Sequence, residues 1–112
     1  MIYESIINTV GKTPIIKISK IMKKYDLNND LYVKLESKNP SGSSKDRIAV
    51  KMIETLYKNN EIKNDSIILE VSSGNTAIGL AMVCAYYDIK LIIENTTNPV
   101  NATFIASTIH EP

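Results

Sequence analysis

Apolar and polar positions change rhythm several times along the chain, and each change marks an element. Residues 15–18, Ile-Ile-Lys-Ile, form a β-branched run after the Thr13-Pro14 turn, which predicts a strand. Residues 20–29 place Ile21, Met22, Tyr25 and Leu27 among lysines and asparagines, the pattern of a short amphipathic helix ending near Asn28-Asn29. Residues 31–35 read as a second strand, with Tyr32 expected to pack on the sheet, and residues 39–44 as a turn-rich loop. A helix is predicted over 44–59. Its Ile48, Met52, Ile53 and Leu56 fall at i, i+4, i+5 and i+8, opposite Arg47, Lys51, Glu54 and Lys58. Residues 66–71 contain a continuous apolar run, predicting a buried strand. A helix apolar nearly all round is predicted over 76–87, followed by a strand over 90–93.

Strand, helix, strand, helix, strand is the order of a right-handed parallel α/β layer, which needs helices on both faces. With two good crossover helices, the expected architecture is an incomplete parallel-sheet, three-layer unit. From Glu94 the pattern decays, so 1–93 is read as the folded portion and 94–112 as a divergent tail.

Composition narrows the classes. A chain of 112 residues, 44% of them hydrophobic, suits one small domain with a thin core. The net charge of +1 gives no reason to expect nucleic acid or an anionic membrane as partner. Neither a signal-peptide start nor an apolar stretch of ~20 residues occurs, and Cys84, the single cysteine, allows no internal disulfide; a cytoplasmic location is expected. Cys84 lies in an apolar helix and reads as core. His110 has no companion at metal-ligand spacing.

Two loops are candidates for chemistry. In Asn39-Pro40-Ser41-Gly42-Ser43-Ser44-Lys45-Asp46-Arg47, Ser43 and Asp46 have the spacing of an acidic capping box. Lys45 then sits in the first helical turn, where the helix dipole disfavours a cation and suits an amine that must act as a neutral nucleophile. The alternative is a solvated cap lysine offset by Asp46. In Ser72-Ser73-Gly74-Asn75-Thr76 the chain passes from strand to helix, where free N–H groups can hold a carboxylate or phosphate. The alternative is an ordinary Ser/Asn helix cap. If both loops follow parallel strands, they meet at one sheet edge.

Taken together, these two loops and the opening Ile7-Asn8-Thr9-Val10-Gly11-Lys12-Thr13-Pro14 resemble the cysteine synthase (O-acetylserine sulfhydrylase) family over roughly residues 6–93. The resemblance implies the N-terminal portion of the tryptophan synthase β-subunit-like fold, with pyridoxal 5′-phosphate (PLP) as cofactor. It implies that Lys45 attaches to PLP and later moves the substrate α-proton. Asn75 would bind the 3′-oxygen of PLP, and Ser72, Ser73, Gly74 and Thr76 would hold the carboxylate of a small amino-acid substrate. The implied reaction is loss of acetate from O-acetylserine followed by attack of sulfide. Thr76 stands where the related dehydratases usually have His, and Ser44 where they usually have Phe. Both favour a sulfhydrylase or a cystathionine β-synthase. A homodimer, and serine acetyltransferase as a partner, are further expectations of the resemblance.

The family's glycine-rich phosphate cup follows these loops, whereas the glycines here are Gly11, Gly42, Gly74 and Gly79. The sequence is therefore expected to be a fragment, a truncated product or one whose frame changes near residue 94. The isolated chain is expected to be inactive, with a silent remnant or interaction module as the alternative reading.

Overall fold

The computed structural model describes residues 1–72 and 74–94, and the backbone of 103–106; His110 lies outside the described residues. After a 3-10 turn at Ile6–Thr9, the order is β1 (Ile15–Lys17), α1 (Ser19–Lys24), β2 (Tyr32–Lys34), α2 (Lys45–Lys58), β3 (Ile67–Val71), α3 (Asn75–Tyr87), β4 (Lys90–Glu94) and β5 (Thr103–Ala106). A further 3-10 turn, Glu36–Lys38, precedes the loop leading to α2.

The core forms where α2, α3 and β4 meet. Ile53 from α2, Leu80, Val83 and Cys84 from α3, then Ile89 and Leu91, are almost completely buried together. Burial pushes the Cys84 thiol up to about 11, so at neutral pH it is protonated core. The helices approach closely because small residues face each other. A Cβ at Gly79 would lie 3.3 Å from both the Lys45 carbonyl and Asp46 Oδ1, and 3.4 Å from Ala49 Cβ. The buried face of α2 is therefore Asp46, Ala49 and Ile53. Ile48 and Met52, expected on that face, are each 46% exposed. The close approach through Ala49 turns α2 away from the face its larger side chains predicted.

Strands β3 and β4 pair in parallel, Ile68 opposite Leu91, joined by the α3 crossover, and β5 adds antiparallel to β4. This is the expected partial parallel sheet with helices. Two details differ from expectation. β2 does not enter this sheet; it pairs antiparallel with β1, Ile16 opposite Val33. In addition, β3 is open on one face: Ile67, Leu69 and Val71 are exposed while Ile68 packs against the core. The continuous apolar run of residues 66–71 predicted a buried strand, but β3 is the edge of its sheet among the described residues.

Between Pro14 and Lys38 no residue is buried. Tyr32 is exposed, its hydroxyl donating to Asp30 3.3 Å away, instead of packing on a sheet. The β1–α1–β2 unit is closed by ladder hydrogen bonds and by a Lys17–Asp30 ion pair at 2.6 Å.

Candidate functional site

The loop before α2 is built by side chains that cap backbone. Asp46 is fully buried. Its carboxylate accepts the Ser41 N–H at 2.8 Å and the Ser41 hydroxyl, closing a tight loop over 41–46. Ser43 Oγ accepts the Lys45 N–H at 2.9 Å, and the cap residue of α2 is Ser44, which makes no side-chain cap bond. The capping box expected between Ser43 and Asp46 is thus replaced by two separate contacts, because the loop folds back far enough for Asp46 to reach Ser41. The result places Lys45 as the first residue of α2, exposed, with no ion pair or hydrogen bond to its amine among the described residues.

Arg47 points the other way. Its guanidinium grips Glu36 with two prongs, Nε to Oε2 at 2.7 Å and Nη2 to Oε1 at 2.8 Å. Nη2 also reaches the Gly11 carbonyl at 3.2 Å and Thr13 Oγ1 at 3.3 Å. Thr13 Oγ1 donates to Glu36 at 2.8 Å. Asn39, buried, donates to Glu36 Oε2 at 3.0 Å and accepts the Gly11 N–H at 2.8 Å. Gly11 has φ +79, and a Cβ there would sit 2.8 Å from Arg47 Nη1, so this turn requires glycine. The hydrogen bonds of Arg47 first, with those of Thr13 and Asn39, hold the Glu36 carboxyl down at about 2.

The second loop joins β3 to α3. Ser72 is half-buried and its hydroxyl accepts the Gly74 N–H at 3.3 Å. Gly74 precedes α3 without a side-chain cap, so the first N–H groups of α3 have no intrahelical or side-chain acceptor among the described residues. A Cβ at Gly74 would meet nothing within 4 Å, leaving room for a ligand against this backbone. Asn75 is exposed and Thr76 half-buried; Ser73 lies outside the described residues.

Helix packing brings the two loops together. Gly79, against the Lys45 carbonyl, is four residues from Asn75, about 6 Å along the axis. The starts of α2 and α3 are therefore neighbours, although β2 takes no part in the parallel sheet. A primary amine and a set of unclaimed N–H groups share one end of the helical layer. A hollow of about 280 Å³ elsewhere, lined by Ile7, Val10, Gly11, Arg47, Val50 and Glu54, contains neither Lys45 nor Asn75.

Sequence reasoning placed Thr13, Asn39 and Arg47 inside motifs without assigning them these contacts, gave Asp46 a capping role with Ser43 in place of its contact with Ser41, and passed over Glu36. The available signal was polar residues closely flanking a proline loop. No helix among the described residues is long and apolar enough to cross a membrane.

Over residues 6–105 the chain matches the family described as pyridoxal-phosphate dependent enzyme. It is similar to a cysteine synthase of Flavobacterium sp., 42% identical over 93 residues, covering 83% of this chain and 29% of the relative. Among solved structures it resembles a hydrogen sulfide-producing enzyme from Fusobacterium nucleatum, with a TM-score of 0.72 and 42% identity, covering 88% of this chain and 32% of that one. It also resembles an O-acetylserine dependent cystathionine beta-synthase from Helicobacter pylori, with a TM-score of 0.74 and 37% identity, covering 83% and 30%. The chain thus spans about a third or less of the length of these proteins.

Proposed function

The chain belongs to the pyridoxal-phosphate dependent enzyme family, and on that premise we propose that it carries the lysine and carboxylate-binding portion of a β-replacement site that makes cysteine from O-acetylserine and sulfide. The carrying observation is the meeting of the two helix starts, with the Lys45 amine on one and the backbone of Gly74-Asn75-Thr76 on the other, the amine and the Asn75 and Thr76 N–H groups without a side-chain partner among the described residues.

The donor set fits the family's cofactor. Lys45 offers an accessible primary amine for its aldehyde carbon. Asn75 offers an amide for its 3′-oxygen, and the open backbone at Gly74 leaves room beside it. When bound, pyridoxal phosphate supplies an electron sink for bond breaking next to the substrate's amino group. Ser72, Ser73, Gly74 and Thr76 hold the substrate carboxylate by hydroxyl and N–H groups, fixing the α-carbon against Lys45. Lys45 Nζ then takes the α-proton, a transfer that requires hydrogen-bond reach and a neutral amine. A second reading is a cystathionine β-synthase type of lyase, supported by the likeness to the Helicobacter pylori protein. It uses the same residues with a different sulfur donor. Cytoplasmic placement, a homodimer and contact with serine acetyltransferase belong to the same proposal.

The test is chemical trapping. Purified chain mixed with pyridoxal phosphate and reduced with borohydride is expected to carry the pyridoxyl group on Lys45, located by peptide mass analysis, and to lose that preference in Lys45→Ala. Label spread over the lysines with none preferred overturns the assignment.

A further inference from the structure

Lys45 is bracketed by two polar anchors. Asp46 ties the helix start to Ser41 within the loop. Arg47 ties it outward to Glu36, Gly11 and Thr13, and Asn39 closes the circuit between Glu36 and Gly11. The Lys45 loop, residues 40–44, therefore hangs between Asn39 on one side and Asp46-Arg47 on the other. Because nothing between Pro14 and Lys38 is buried, this polar circuit takes the place of a core at the junction.

We propose that Glu36 and Arg47 are positioning residues for Lys45, their two-pronged ion pair fixing the loop that presents its amine. The proposal rests on the reading of Lys45 as the cofactor-attachment lysine. A planar fork suits this role: guanidinium against carboxylate fixes both distance and orientation, which a lysine cannot do from a single point charge. The pair is also partly exposed, at 41% and 28% of the side chains. Exposed ion pairs contribute little to global stability. The consequence is separable: breaking the pair loosens the loop and leaves the α2–α3 core intact.

The experiment compares the full chain with Arg47→Lys, which keeps the charge and loses the fork, and Glu36→Gln, which keeps the shape and loses the charge. Amide hydrogen exchange is read over 41–46 and, as internal control, over 49–53 and 80–84. In both variants we expect loop exchange to rise on the order of tenfold while the core segments stay unchanged. In borohydride trapping, the share of pyridoxyl label on Lys45 falls in favour of other lysines. Unchanged loop exchange in both variants overturns the proposal. So does a parallel rise in loop and core, which would make the pair a support of the whole fold. If the unaltered chain shows no preference for Lys45 while the exchange result holds, the cofactor reading fails and Glu36–Arg47 stands as the anchor of this loop.

Discussion

Two regions of this chain are held by opposite means. The α2–α3–β4 region buries Ile53, Leu80, Val83 and Leu91 almost completely, and its order follows from removing apolar surface from water. The β1–α1–β2 region buries nothing between Pro14 and Lys38 and leaves Ile15, Tyr25 and Tyr32 more than half exposed. Hydrogen bonds and the Arg47–Glu36 ion pair join it to the rest among the described residues. The first region is tolerant of solvent charge and sensitive to volume; the second is the reverse. Lys45 stands at the boundary, one residue from the buried Asp46 and two from Arg47.

Removing volume gives the largest expected effect. Leu80→Ala, at a position 1% exposed, should cost about 2–5 kcal/mol, read as a lowered denaturant midpoint. Ile15→Ala, at a position 62% exposed, should change stability by no more than about 0.5 kcal/mol. Equal costs would erase the contrast between the regions. Next in size is Gly79→Val. Even a Cβ here meets the Lys45 carbonyl and Asp46 at 3.3 Å, so the branched side chain should force α2 and α3 apart at a cost of about 1–3 kcal/mol. A thermal melt unchanged from the parent would show that the helices are not in tight contact.

The smallest effect concerns charge alone. Glu36 titrates at about 2 in the folded chain against an ordinary 4.5, chiefly through its hydrogen bonds to Arg47. A depressed folded value means that the contribution is fully present above about pH 4.5 and is lost as pH falls through about 2. Carboxyl chemical shifts followed by NMR should give the low midpoint, and Arg47→Ala should return it towards 4.5. An ordinary midpoint in the unaltered chain would remove the electrostatic half of the contrast.

The apolar rhythm made the core region legible. Helices predicted over 44–59 and 76–87 appear as Lys45–Lys58 and Asn75–Tyr87, and strands over 66–71 and 90–93 as Ile67–Val71 and Lys90–Glu94. Periodicity could not choose the buried face of α2, because Ala49 counts as a weak apolar residue and Asp46 as a polar one, yet both are buried against Gly79. Strand pairing was also beyond it: β1 and β2 look like any short strands, and their antiparallel partnership is a long-range choice. At the candidate site, Lys45 and the Ser72–Thr76 loop could be picked out by residue type at helix starts. Glu36 could not, since Arg47 and Thr13, two of the three residues that bind its carboxylate, are 11 and 23 residues away in sequence.

The open side of β3 has a consequence for how the molecule behaves in concentrated solution. As the edge of its sheet among the described residues, β3 offers a row of backbone donors and acceptors beside the exposed Ile67, Leu69 and Val71, with no proline in the strand and Glu70, on the same side as Ile68, as its one charge. An edge that is both greasy and unpaired is a template for strand addition. Chains that meet there can extend the sheet from one molecule into the next, through a strand that turns Ile68 to its own core and leaves Ile67, Leu69 and Val71 to the solvent.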